Sequence, residues 1–319
     1  MIITIDGGTT NTRISLTDGK DVLYTVKKNI GAKNTAISKS NKPLLDAVAE
    51  GISEALSKTG VKDIEGIVLS GMIGSDMGLL NVPHVLAPAG VDELRNGIVS
   101  KQFPEVSELP FTFIPGVKNE FSTSLEGLNN IDVMRGEETE LYGILDLENI
   151  TGSATVILPG SHNKIIFTDE NQRITKCFTT LSGETVQAIA ENTILSNNLS
   201  GKFTKEVDIP SLEKGYDYAE KYGLTSTLFK IRMMGNFLGS DPKEMYSFLI
   251  GAVIHDDIRL IRMYSEGKKL LIGGSDPFRH SFYHLLKKIG SDAIELSEDT
   301  VSKCTAVGAY KIFIKRCVL

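Results

Sequence analysis

The sequence predicts an α/β protein assembled from two related halves. Three observations carry that prediction. Short apolar runs over 2–5, 13–17 and 22–26, separated by turn residues, have the pattern of three consecutive short strands. Beyond them, stretches with helical spacing alternate with strand-like runs. Finally, "GTTNTRISLTD" (Gly8–Asp18) is echoed by "GSHNKIIFTD" (Gly160–Asp169). Each follows an apolar strand and offers glycine, small hydroxyl residues, Asn, a basic residue, a second apolar strand and a closing Thr-Asp. Duplication of one α/β unit is the economical account.

In chain order, the second and third strands are joined by a tight turn at Gly19. "KPLLDAVAEGISEALSKTG" sets Leu44, Leu45, Val48, Ile52, Ala55 and Leu56 at helical spacing, with Gly60 where a C-terminal cap is wanted. "IEGIVLSGMIGS" reads as a strand entering a glycine-rich turn, "VDELRNGIVSKQF" as a helix and "FTFIPG" as a strand, so the first half reads βββαβαβ. "DVMRGEETELYGILDLE" places Met134, Leu141, Ile144 and Leu145 on one helix face, and "SATVILPGSHNKIIFTDENQRITKCF" returns to strands. Helices are expected from about 184 to 195, near 211–222 and over 242–264. "KKLLIGGSDPFRHSFYHLLKKIG" is a strand, a glycine turn and a helix, "AIELSED" a short strand and "TVSKCTAVGAYKIFIKR" a closing helix. The expected domains are 1–132 and 133–319, the second with a helical insertion around 197–264.

Bulk properties narrow the function classes. A chain of 319 residues with 41% hydrophobic content is long enough for two cores. The formal net charge of −6, without a dense Lys/Arg block, argues against a nucleic-acid partner. No run approaches the roughly 18 apolar residues of a membrane helix, and Asp6 interrupts the first apolar stretch, so neither membrane nor leader peptide is expected. Cys177, Cys304 and Cys317, with no CxxC pair, favour reduced thiols in a cytoplasmic protein over disulfides or zinc. His84, His255, His280 and His284 are too dispersed to suggest a metal site. Oligomeric state is left open, a homodimer included.

The chemistry lies in the turns. A hairpin bend rich in Gly, Thr, Ser and Asn exposes backbone N–H groups that suit phosphate oxygens. Gly7, Gly8, Thr9, Thr10 and Asn11 form one such bend, ending at Arg13; Gly160, Ser161 and His162 form a second, ending at Lys164. Gly273, Gly274 and Ser275 form a third turn between a strand and a helix, where a nucleoside could approach closely. Two facing hairpins would grip the β- and γ-phosphates of ATP, and Asp6 is placed to hold Mg²⁺ directly or through water. Arg13 and Lys164 either reach phosphate or stand outward on their strands; His162 either meets phosphate or satisfies loop backbone. Neither GxxxxGK[ST] nor a GxGxxG strand–helix junction is present.

This order of three glycine turns resembles the actin–hexokinase–Hsp70 ATPase superfamily, in which two ribonuclease H-like βββαβαβα domains close over ATP in an interdomain cleft. "DGGTTNTR" (Asp6–Arg13), "SGMIGSDMG" (Ser70–Gly78), "MRGEETELYG" (Met134–Gly143), "PGSHNK" (Pro159–Lys164) and "FTTLSGE" (Phe178–Glu184) together look like the 2-keto-3-deoxygalactonokinase family, from the first strand to the last helix. Two segments depart from it. Gly7 stands where the family's DWGSTN-type loop has an aromatic, and "GGSDPFRH" (Gly273–His280) matches only loosely.

The resemblance implies a carbohydrate kinase that uses ATP and Mg²⁺ to phosphorylate 2-keto-3-deoxygalactonate at its terminal hydroxyl, giving the 6-phosphate in galactonate catabolism. A primary alcohol needs a carboxylate to accept its proton, and a sugar acid needs a cation, best an arginine. Glu138 is the preferred base, with Glu137 and Asp76 as competitors, and Arg135 is the carboxylate anchor. Gly74, Ser75, Asp76 and Glu184 complete the expected substrate contacts. An acidic first helical turn complementing the helix dipole would also explain the glutamates, and Glu184 could instead cap the helix after it. The other readings are a kinase for another small sugar acid or polyol, and an actin-like ATPase or nucleotide-sensing regulator without a sugar substrate.

Overall fold

The computed structural model describes residues 1–120, 122–199, 204–265 and 267–314. Cys317 lies outside the described residues. The chain divides into two compact units: Met1–Gly152 with Thr168–Cys177 and the chain from Ser297 onward, and Ser153–Phe167 with Phe178–Leu296.

The first unit opens with β1 (Ile2–Gly7), β2 (Thr12–Thr17) and β3 (Val22–Lys28), then α1 (Ala32–Ser38), α2 (Lys42–Thr59) and β4 (Ile67–Gly71). β5 (Val85–Leu86), α3 (Val91–Asn96), β6 (Val99–Phe103), β7 (Ser107–Phe113), β8 (Val117–Lys118), β9 (Val133–Met134) and α4 (Glu137–Leu147) follow. The main sheet has the order β3-β2-β1-β4-β7-β6. β1 is antiparallel to β2 and parallel to β4, which is parallel to β7. A central strand covered on both faces must be apolar throughout, and Ile2, Ile3 and Ile5 are all essentially inaccessible. Leu44, Val48, Ile52 and Ala55 of α2 pack into the same core, and Gly60 caps that helix by donating its N–H to the Leu56 carbonyl.

The second unit begins with β10 (Ala154–Leu158), β11 (Asn163–Thr168) and β12 (Ile174–Thr180), the outer part of whose hairpin belongs with the first unit. α5 (Ser182–Asn192), α6 (Ser196–Leu199), α7 (Ile209–Tyr222), α8 (Leu224–Met233), a π-helical turn at Met234–Leu238 and α9 (Pro242–Tyr264) come next. They are followed by β13 (Lys269–Ile272), α10 (Phe278–Lys288) and β14 (Ala293–Glu295). α9 starts where a capping box predicts: Asp241 accepts from the Glu244 N–H, Glu244 returns the bond, and Pro242 takes the first turn. The sheet order is β12-β11-β10-β13-β14, with β10 antiparallel to β11, and β13 parallel to both β10 and β14. That matches the β3-β2-β1-β4-β7 portion of the first sheet, as duplication of a ribonuclease H-like unit requires.

Three expectations are corrected. The helix expected over 91–103 stops at Asn96, because Gly97 closes it onto Glu93 and Leu94 and the following residues pair antiparallel with β7 as β6. Met134 belongs to β9 rather than to the face of α4, and α8 was not predicted. The expected boundary at 132/133 falls inside the first unit. α4 packs along the closing helix α11 (Glu298–Ile314), so closely that a side chain at Gly143 would collide with the Cys304 carbonyl and one at Gly308 with the Thr139 carbonyl.

Candidate active site

Asp6, next to last in β1, is the register partner of Arg13 on β2, and Arg13 Nη1 donates to Asp6 Oδ2 at 3.2 Å. The surrounding protein raises the Asp6 pKa, and the Arg13 charge opposes that rise. The next residue accounts for the missing aromatic: a Cβ on Gly7 would lie 2.4 Å from the Ile73 Cβ, so no side chain fits. The bend then closes through the Gly8 N–H on the Asn11 carbonyl at 2.8 Å. The Gly8 and Thr9 carbonyls accept from Ala32 and Lys33 at the start of α1, at 3.1 and 2.9 Å. With those acceptors occupied, the Thr9 and Thr10 N–H groups have no protein acceptor among the described residues and lie at the exposed tip. Such amides are free to receive an anion.

β4 ends beside this bend. Gly71 takes φ 82°, and a side chain there would meet the Gly7 carbonyl at 2.7 Å. In the turn that follows, Ser75 is buried and spends its hydroxyl on the Met72 carbonyl at 2.7 Å, whereas Asp76 is exposed. Gly136 lies against Gly71, 3.1 Å from its Cα to where a Cβ would stand, which brings the head of α4 to the carboxyl ends of β1 and β4. Arg135 is held there by Nη2, which donates to the Val82 carbonyl at 2.6 Å and lies 3.2 Å from the His84 ring nitrogens. Its Nη1, beside Gly74, is buried without a hydrogen-bond partner among the described residues. Burial lowers the Arg135 pKa against the pull of Glu138 and Asp76.

The glutamates differ sharply. Glu138 is fully enclosed, with both carboxyl oxygens accepting the Gly136 N–H at 2.9 Å. Burial, aided by Glu137, pushes its pKa up to about 8. The sequence preference for Glu138 as a base that touches substrate does not fit this enclosure. Glu137 is half-buried and accepts the Arg135 N–H at 2.9 Å. Glu140, missed in the sequence, sits one turn further along the helix and is also pushed up to about 8, by burial and then by the charges of Glu137 and Asp6. Its three-residue spacing from Glu137 was the available signal.

In the second unit, Gly160, Gly183 and the third glycine turn converge. A side chain on Gly183 would lie 2.0 Å from the Gly160 carbonyl, and one on Gly274, at φ 70°, 2.4 Å from the Pro159 carbonyl. The Gly160 N–H is taken by Asn163 Oδ1 at 3.0 Å. His162 and Glu184 pair at 3.3 Å, both exposed, so Glu184 is not the cap of α5. Lys164 is buried and donates to the Thr179 hydroxyl; it does not stand outward on its strand. Ser275 is exposed. His280 and His284, dispersed in the sequence reading, meet on α10 with their Nε2 atoms 2.9 Å apart. Among the described residues no group of three or more His, Cys, Asp or Glu could hold a metal ion, and no helix is long and apolar enough to cross a membrane.

Fold and turns define a protein of the actin-like ATPase fold, and the family that this chain matches makes it a carbohydrate kinase. Residues 6–311 match the family model described as 2-keto-3-deoxy-galactonokinase, and the chain belongs to that family. It is 27% identical over 303 residues to the 2-dehydro-3-deoxygalactonokinase of Escherichia coli K12, covering 93% of each chain. A crystal structure of a candidate 2-dehydro-3-deoxygalactonokinase from Sinorhizobium meliloti superposes with a TM-score of 0.78 at 21% identity, covering 98% of this chain and 100% of the other. The activator of the 2-hydroxyisocaproyl-CoA dehydratase from Clostridium difficile, solved with bound ADPNP, has a TM-score of 0.51 at 13% identity, covering 98% and 94%. The two structural likenesses speak to the fold alone.

Proposed function

We propose that this chain transfers the γ-phosphoryl group of ATP to the terminal hydroxyl of 2-keto-3-deoxygalactonate, in the cytoplasm. The observation that carries the reading is the family match over residues 6–311, within which Arg135 and Glu137 stand at the same strand ends as Asp6. The Arg135 Nη1 that lacks a partner among the described residues is the donor a substrate carboxylate requires. Glu137 serves as base and accepts the hydroxyl proton as the alcohol oxygen bonds to phosphorus and the bridging oxygen leaves with ADP. Glu138 holds the Gly136 amide and so fixes the head of α4.

The exposed Thr9 and Thr10 amides take phosphate oxygens. Asp6 commits Oδ2 to Arg13. One carboxylate oxygen plus nucleotide phosphates is a usual way to hold Mg²⁺, which neutralises charge on the phosphates when bound. A coupled ADP-release assay over a panel of 2-keto-3-deoxy sugar acids tests the reading. ADP should form only when an acceptor is supplied, fastest with the galacto acid. Equal ATP turnover without an acceptor would favour a nucleotide-driven switch instead.

A further inference from the structure

We propose that Asp257 is a positioning residue for the second phosphate turn, acting through Asn163. The inference rests on the reading of Gly160–Asn163 as a nucleotide contact. Asp257 lies on α9, distant in sequence from the turn, and is 1% exposed. Its Oδ2 accepts from Asn163 Nδ2 at 2.8 Å, and the Ser182 and Thr180 side chains also hydrogen-bond to its carboxyl group. It also lines a cavity of about 230 Å³ with Thr180 and Ser182. These three donors are neutral, and burial raises its pKa. An enclosed carboxylate met by neutral donors is a costly choice where an apolar residue could pack.

Its value lies in being, when ionised, an acceptor only. Asn163 is completely buried, and its amide can face either way. A carboxylate at 257 compels the NH₂ to turn toward α9, which leaves Oδ1 to take the Gly160 N–H at 3.0 Å. Flipped, the amide would set donor against donor at Gly160, and the turn would lose its shape. Asp257 therefore decides the polarity of Asn163, and Asn163 decides the orientation of the first amide of the bend. Ser182, at the start of α5, shares the same carboxylate, and the adjacent Gly183 touches the Gly160 carbonyl, so one acid ties both sides of the turn.

The test is a polarity swap. Asp257→Asn is nearly isosteric, so a role in packing alone would leave nucleotide affinity unchanged. We expect it to raise the KM for ATP roughly tenfold while the KM for the sugar acid moves less than twofold. Asn163→Asp, which sets two carboxylates face to face, should be worse. The double variant Asn163→Asp/Asp257→Asn restores acceptor and donor in exchanged positions and should return to within about threefold of the wild type. Wild-type ATP affinity in Asp257→Asn, or no recovery in the swap, overturns the inference. Hydrogen exchange of the wild type with and without ADP separates the two layers. If amides 160–163 gain no protection, the phosphate reading itself fails; if they gain it equally in Asp257→Asn, only the role of Asp257 fails.

Discussion

The two hairpin turns occupy the same place in two sheets that share a five-strand order, yet their surroundings differ. In the first, Asp6 faces Arg13 across the ladder; in the second, Leu158 faces Lys164. The first bend closes through the backbone carbonyl of Asn11, the second through the side chain of Asn163. Arg13 is largely exposed and ion-paired, while Lys164 is buried against Thr179. The two bends therefore share a place in the sheet, while their closure and their charge differ. Of these two strand ends, only the first carries an acid that could hold a cation, so the halves are alike in strand order and unequal in chemistry.

The most severe way to break this comparison is to remove its one-sided acid. Asp6→Asn should lower kcat by about 10³-fold, the scale of losing a preorganised electrostatic contact, with the melting temperature little changed. A loss under tenfold would make the turns equivalent. Next, Glu137→Gln should cost about 10²-fold in kcat, whereas Glu138→Gln should stay within tenfold; the reverse order would return the base to Glu138. The glycines test the shared scaffold. Gly71→Ala and Gly274→Ala both place a methyl group against a carbonyl at positive φ. Each should destabilise its unit by about 2–4 kcal/mol in denaturant titrations. Gly60→Ala, at φ 70° in open space, should cost only about 1 kcal/mol.

A pH profile sharpens the asymmetry further. The folded pKa of Glu138 stands near 8 against 4.5 for the free side chain, so the folded state holds the proton more tightly. Its contribution to stability is full below about pH 4.5 and is lost as pH rises toward 8. Glu138→Gln should therefore match the wild type at low pH and exceed it in melting temperature above pH 8. A parallel offset at every pH would contradict the enclosed, protonated carboxyl group. The smallest effect belongs to Arg13→Gln, which removes an exposed partner of Asp6 and should change the KM for ATP by two- to fivefold.

Much of the fold was legible because its signals are local. Strand periodicity, the Gly60 cap and the Asp241-Pro242-Lys243-Glu244 start of α9 each depend on residues within a few positions. The helix expected over 91–103 failed because a long-range partner, β7, claimed its second half for a sheet. The candidate site divides the same way. Glycines and hydroxyl residues announce the bends, and the echo between Gly8 and Gly160 announces their kinship. Nothing near Arg135 points to Val82 or His84, and nothing near Asn163 points to Asp257. The enclosure of Glu138 was equally hidden, since its neighbour Glu137 has the same chemistry and is less buried only by virtue of helix phase.

By itself the sequence determined the two-fold repeat, the glycine bends and the set of groups that could meet ATP and a sugar acid, because periodicity, turn chemistry and motif order are properties of neighbouring residues. Tertiary structure alone decided which glutamate is sealed and which remains within reach, that no aromatic fits at Gly7 against Ile73, and that a buried acid on α9 dictates how Asn163 faces. Burial and amide polarity are set by what the chain folds against, and those contacts join residues that no local pattern connects.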